Sequence, residues 1–255
     1  VSVLQDTGKC RGRAFAWNTI GQSIDTGGHK GEKSALSRFS LSVEPPFFDD
    51  RTPCMNSTTN GPDGKPRCKW CVITPEYLHY HDMEWGYPVA DDQRLFEKIS
   101  LEGFQSGLSW RTILAKRENF REAFHHFDFN RIARFKEKDV ERLLKNEGIV
   151  RHRGKIEAVI NNAQRACELV QREGSIANYV WRFEPQEIAS APQTVSTSPE
   201  SMALSKELKK MGWKFVGPTT VYAFMQAMGL LNDHAEECVI RAKVNSARKK
   251  FKRPG

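Results

Sequence analysis

The chain has 255 residues, 39% of them hydrophobic and 27% charged, with a formal net charge of +8. These numbers suit one large or two small globular domains and exclude a chain disordered throughout. No apolar run approaches the roughly 18 residues that span a bilayer, no charged-then-apolar leader opens the chain, and six cysteines are too few for a disulfide-stapled scaffold, so an intracellular, reducing compartment is expected.

Residues 1–64 are rich in turn formers (DTGGHKGEK, VEPPFFDD, NSTTNGPDGKP) and read as a disordered extension. From Lys65 to about Ala242 the pattern is helical nearly throughout, an all-α domain of about 180 residues. Thr74-Pro75 is an N-cap followed by proline at the first helical position, which starts a short helix through Tyr80 and His81. Leu95, Phe96, Ile99 and Leu101 mark a second helix; Trp110, Ile113, Leu114, Phe120 and Phe124 fit a third; Val140, Leu143 and Leu144 form a short one stopped by Gly148. Ile156, Val159, Ile160, Ala163, Cys167 and Val170 line one face of a long helix. Residues 184–200 read as a loop, and Met202–Met211 and Pro218–Gly229 as two further helices. No sustained alternation argues for a sheet.

The charge is local. Residues 61–240 carry 25 Lys/Arg and 25 Asp/Glu, whereas residues 241–255 carry seven Lys/Arg and no acid. A block of that kind is a solvated arm, a set of phosphate contacts or a nuclear import signal.

Three constellations carry chemistry. Cys68 and His81 flank the first helix, and His234 and Cys238 are four apart, on one face if helical. Together they make a Cys₂His₂ set that suits zinc and would tie the start of the domain to its end. A chance arrangement of a buried Cys, a surface His and a weak His-x₃-Cys competes with that reading, and the CxxC of Cys68 and Cys71 offers an alternative thiolate. Second, Tyr77, Tyr80, His81 and Trp85 are followed by Glu102, Gln105 and Trp110. Rings around a carboxylate suit a flat cationic ligand or a stacked nucleobase; an aromatic-rich core with Glu102 at the surface is the alternative. Third, a hairpin at 212–217 separates a helix ending at Gly212 from one opened by Gly217-Pro218-Thr219-Thr220, with Lys214 beside it. The free N–H groups there form a natural phosphate site, or the turn is an ordinary αα-hairpin.

Taken together, RCKW (67–70), YHDMEWG (80–86), LEGFQSGLSW (101–110), KREN (116–119), GIVRHRGKI (148–156), FVGPTTVYAFMQA (215–227) and NDHAEEC (232–238) resemble the 3-methyladenine DNA glycosylase I family of the helix-hairpin-helix DNA glycosylase superfamily. The resemblance runs from about Arg67 to Cys238; the extension and the basic tail (243–255) lie outside it. It implies a structural Zn²⁺ held by Cys68, His81, His234 and Cys238, with Cys68 preferred over Cys71. It implies a base pocket of Tyr77, Tyr80, Trp85, Glu102 and Trp110, with Trp70 and Gln105 nearby, in which Tyr80 and Trp110 sandwich a cationic purine and Glu102 accepts from its amino edge.

The expected activity is monofunctional release of 3-methyladenine from alkylated double-stranded DNA by base flipping and N-glycosidic hydrolysis. The expected state is a monomer, nuclear in a eukaryote and cytoplasmic in a bacterium. Leu108 is the expected wedge, and Lys214, Gly217 and Thr219 the expected backbone contacts. Pro218, Thr219 and Thr220 stand where bifunctional relatives carry a Schiff-base lysine, so no strand cleavage is expected. Asp233, where many superfamily members place a catalytic aspartate, is expected to cap the helix of His234 and Cys238 instead. The competing function is a non-catalytic zinc-stabilised DNA-binding module, for which the aromatic slot would be filled. A zinc deaminase lacks its H-x-E and P-C-x-x-C signatures here.

Overall fold

A computed structural model describes residues 57–187 and 191–255, and the first 56 residues of the expected extension lie outside the described part. The described fold is mostly helical. Two short strands, β1 (Thr58–Asn60) and β2 (Pro66–Cys68), pair antiparallel with Thr58 opposite Cys68. The expectation of no sheet misses this pair because three residues are too short to show alternation. Strand β1 thus lies within the segment read as extension.

Helix α1 (Pro75–Met83) starts as its cap dictates: Thr74 Oγ1 accepts the Tyr77 N–H at 3.3 Å. Helix α2 (Asp92–Gln105) is capped by Asp91 and buries ten of its fourteen residues, Lys98 and Glu102 among them. The single third helix expected over 110–124 is two, α3 (Trp110–Ala115) and α4 (Arg117–Ala123), broken at Lys116 with ψ near 3°. Helix α5 (Phe129–Ile132), α6 (Glu137–Leu144), the 21-residue α7 (Arg153–Glu173) and α8 (Ile176–Val180) follow. Helices α9 (Pro199–Lys210) and α10 (Pro218–Ala227) form a hairpin; α10 packs on both α9 and α2, and α7 packs on α5. Phe96, Phe104, Phe120, Phe124, Phe127 and Phe224 fill the middle of the core.

The basic tail is not a solvated arm. It belongs to α11 (Val239–Lys250), which buries Ile240 and Val244. Arg248 and Arg253 both reach Glu184 at 2.7 Å, and Phe251 packs on Trp181 with ring centroids 4.6 Å apart. Two apolar positions four apart are enough to seat a helix whose other face is cationic. No helix among the described residues is long and apolar enough to cross a membrane.

Gly229 closes α10 in the left-handed region, with φ +74°. A Cβ there would meet Tyr87 and Pro88 backbone atoms at 2.5–2.6 Å. Gly229→Ala is therefore expected to destabilise by more than about 2 kcal/mol, combining left-handed strain with a clash that no rotamer relieves. Denaturant unfolding measures it; a midpoint equal to wild type would show that the Tyr87–Pro88 segment yields freely.

Candidate active site

One cavity of about 290 Å³ is walled by Trp70, Tyr77, Tyr80, Trp85, Glu102, Gln105 and Trp110, all seven of the residues expected to form the base site. That is near the lower end of small-molecule sites. Helix α1 supplies the tyrosines, α2 supplies Glu102 and Gln105, and α3 begins with Trp110. The slot is open, so the reading as a filled aromatic core does not hold. Five further walls escaped the sequence reading: Lys98, Gln193, Val195, Ala223 and Gln226. Gln193 and Val195 come from the 184–200 segment, read as a loop, and Ala223 and Gln226 from α10, read for its N-terminus alone.

The geometry corrects the expected sandwich. Tyr80 and Trp110 have centroids 5.4 Å apart and planes 43° apart, so the rings touch each other. A flat base between two rings needs about 7 Å, twice an aromatic contact distance. It also corrects the expectation of a lone carboxylate. Lys98 Nζ lies 2.8 Å from Glu102 Oε1, donates to Tyr80 Oη at 2.8 Å and sits 3.2 Å from the Trp110 ring centroid. Both Lys98 and Glu102 are 5% exposed. Burial pulls the Lys98 amine down to about 8, and Glu102 opposes that fall. Burial, with the Glu102 charge second, pushes the Tyr80 phenol well above its usual range.

Behind Tyr80, burial raises Glu84, but Arg117 at 2.7 Å and Arg94 at 3.1 Å outweigh it and hold the carboxyl below its usual range. This pairing fixes the end of α1 against α2 and α4.

Three of the four expected metal residues converge. Cys68, His81 and Cys238 place their ligand atoms within 4.8 Å of one another, and all three are buried. His234 stands beside them, its ring centroid 4.8 Å from that of His81, though outside that group. Its Nε2 is buried with no hydrogen-bond partner among the described residues, while Nδ1 is held by Asn232 Oδ1 at 2.9 Å. His81 is arranged alike, with Nδ1 on Asp82 Oδ1 at 2.7 Å and Nε2 facing Cys238 Sγ at 3.6 Å. Imidazoles anchored through Nδ1, with Nε2 turned toward two thiols or left without a partner, have the chemistry of a metal site. The hydrogen bond from Cys68 pushes the Cys238 thiol down, toward the thiolate a metal requires. Cys71 is buried outside the cluster, and burial raises its thiol to about 12.

Two local expectations fail here. His234 and Cys238 are not on a helix: both lie in the loop before α11, and Cys238 is the N-cap residue of that helix. Asp233 caps nothing. Its Oδ1 accepts the Gln193 N–H at 2.9 Å and its Oδ2 accepts from Gln226 at 2.5 Å. Gln193 in turn donates to Cys68 Sγ at 3.0 Å, so one glutamine touches both the metal cluster and the cavity.

The loop carrying Leu108 and the hairpin carrying Lys214 lie against the same helix. From α7, Lys155 Nζ donates to the Phe104 and Ser106 carbonyls at 2.8 and 2.5 Å. Asn161 donates to the Gly212 carbonyl at 2.8 Å, and Asn162 bonds Lys214 N and O at 2.8 and 2.9 Å. A Cβ at Gly103 would meet Phe215 at 3.4 Å, so the hairpin adjoins the last turn of α2, just before the Leu108 loop. Leu108 is 42% and Phe215 40% exposed, and Lys214 and Thr219 are exposed. Phe215 had no sequence signal beyond its place in the hairpin. Gly217 is the N-cap of α10 and makes no side-chain cap.

The methyladenine glycosylase family matches residues 70–242, which include the cavity residues and, apart from Cys68, the metal cluster. The chain belongs to the methyladenine glycosylase family. It is 49% identical over 177 residues to DNA-3-methyladenine glycosylase 1 of Escherichia coli (strain K12), covering 68% of this chain and 95% of that protein. A crystal structure of 3-methyladenine DNA glycosylase I superposes with a TM-score of 0.65 at 52% identity, over 68% of this chain and 98% of that one. A variant of 3-methyladenine DNA glycosylase I in complex with 3-methyladenine superposes with a TM-score of 0.64 at 35% identity, over 68% and 95%. The family match takes in every helix from α1 to α10.

Lys155 offers a direct test of how the Leu108 loop is held. Lys155→Met removes the donor from two carbonyls at the end of α2 and is expected to cost about 2 kcal/mol. Amide exchange of residues 106–109 should accelerate while α9 and α10 stay protected. Unchanged exchange in that loop would mean the lysine does not hold it.

Proposed function

We propose that the chain is a DNA glycosylase that releases 3-methyladenine from alkylated double-stranded DNA, acting as a monofunctional, monomeric enzyme of base-excision repair. The observation that carries this reading is the open aromatic cavity with Glu102 in its wall. The sequence kinship with proteins named for this activity supports it. A DNA-binding module without catalysis has no use for such a cavity.

A base inside a duplex cannot reach the cavity, so the nucleotide is extruded into it. N3-methylated adenine is cationic while attached to the sugar, and its glycosidic bond is weak for that reason. Water adds to C1′, the C1′–N9 bond breaks with its electron pair going to N9, and the water loses a proton. The products are neutral 3-methyladenine and an abasic sugar. The rings supply stacking surface, and the cavity walls exclude competing water. Leu108 fills the space the base leaves, while Lys214, the α10 N-terminus at Gly217 and Thr219 hold the phosphate backbone. We read α9 and α10 as the two helices of a helix-hairpin-helix element on that basis.

We assign one structural zinc to Cys68, His81, His234 and Cys238. The unpartnered His234 Nε2 supports its place as the fourth donor. Four protein ligands would leave no position for water, so the metal serves the fold. Metal analysis of the purified chain should find one zinc, retained by Cys71→Ser and lost from Cys68→Ser. Zinc that survives Cys68→Ser and departs with Cys71→Ser would reverse the ligand assignment.

The activity test is release of free base from methylated duplex DNA by the purified chain, without strand nicking. Glu102→Gln keeps shape and removes charge. It is expected to lower excision by roughly 10²-fold or more, as when one charge-stabilising group is lost. Zinc content and DNA affinity should stay at wild-type values. Normal excision by this variant would remove Glu102 from the mechanism. Lys214→Ala should weaken binding to damaged and undamaged duplex alike, since a phosphate contact carries no information about the base.

A further inference from the structure

The proposed base pocket already contains a cation. A carboxylate oxygen 2.8 Å away, a phenol oxygen 2.8 Å away and an indole face 3.2 Å away all engage the Lys98 ammonium. Those are the groups from which a pocket for a positively charged base is built: an acceptor with charge, an acceptor without, and a ring quadrupole. A cationic base that enters meets a carboxylate already neutralised and a like charge beside it. In a buried site that repulsion is weakly screened.

We propose that Lys98 is a specificity-determining residue of this pocket: its ammonium holds the cation position formed by Tyr80, Glu102 and Trp110, so a cationic base is bound and excised only when Lys98 gives up its proton or withdraws. This inference rests on the reading of the cavity as the base site. When the proton leaves, Glu102 regains its charge for the ligand, and the neutral amine becomes an acceptor toward the base's amino edge.

The surroundings single out this amine as the titrating group. Tyr77 and Tyr80 face it from α1, and burial first, then Glu102, pushes both phenols up. Glu84 at the end of α1 is paired with Arg117 of α4, and Glu97 of α2 with Arg94 and Arg121. From α3, Trp110 lays its ring on the amine, and Arg111 acts on Tyr77 by its charge. The Lys98 amine, lowered to about 8 by burial, changes charge between pH 7 and 9.

The sign follows. The amine is protonated at pH 7 and neutral at pH 9, so excision of the cationic base should rise with pH. Single-turnover release of 3-methyladenine from methylated duplex, with enzyme in excess and spontaneous loss subtracted, should increase about tenfold over that range in the wild-type chain, the change in neutral fraction for a group near 8. Lys98→Met removes the charge; its rate should be flat with pH and no slower than wild type at pH 9. Lys98→Arg keeps a charge throughout; its rate should be flat and no faster than wild type at pH 7. If Lys98→Met does not fold, judged by circular dichroism, the wild-type and Lys98→Arg profiles still decide. A flat wild-type profile, a rise that persists in Lys98→Arg, or a folded Lys98→Met slower than wild type at pH 7 would each overturn the role of Lys98 while leaving the glycosylase reading intact. No release by wild type at any pH would overturn that reading and this inference with it.

Discussion

The two ends of the fold meet at one buried point. Cys68 and His81 come from its first elements and Cys238 from the loop before its last helix. Closing a loop of about 170 residues costs an unfolded chain about 5 kcal/mol in entropy, so a crosslink there would constrain the whole domain. What surrounds that point is set by it. Trp85 packs edge-on against His234 at 4.6 Å and against Trp70 at 5.1 Å, so the wall of the cavity is also the lid of the cluster. Gly86 makes this possible: its φ of +84° turns the chain, and a Cβ there would lie 2.8 Å from the His234 ring.

Around the cavity, charge is handled in pairs. Glu84, Glu97 and Glu102 are each matched by an arginine or lysine within 2.8 Å. Burying either member alone would cost several kcal/mol, whereas a matched pair with further hydrogen bonds is tolerated. Lys98 and Glu102 sit one turn apart on α2, which fixes their separation through the helix itself. Selectivity in such a pocket depends on how a ligand's charge disturbs an existing balance.

Much of this was legible in the sequence. The Thr74-Pro75 start, the stripe on α7 and the hairpin between α9 and α10 are local signals, and local signals are what periodicity and capping record. The cavity residues fall in motifs shared with the family, so their convergence was expected from resemblance. What escaped has physical causes. Helices α5 and α8 are four and five residues long, below the length at which a face repeats. The seven cations of the tail masked Ile240 and Val244. Lys98 lies among apolar positions on α2, where pattern reading assigns lysine to solvent; its burial depends on Tyr80 and Trp110, which reach it from other helices. His234 and Cys238 have helical spacing but belong to a turn, since spacing alone does not report hydrogen bonding.

The docking of the last helix changes how its charge counts. Arg248 and Arg253 share Glu184, and Arg241 donates to the carbonyls of Asn232 and His234. Three of the seven cations therefore serve the fold. Lys243, Lys249, Lys250 and Lys252 remain exposed. Were this face laid along a duplex, at most four condensed counterions would be released on its account, and the logarithmic salt dependence of binding would gain about 0.9 per phosphate neutralised. Of the seven cations that composition counts, four side chains stand clear of the fold, and three of those, Lys243, Lys249 and Lys250, are displayed at the spacing of a helix.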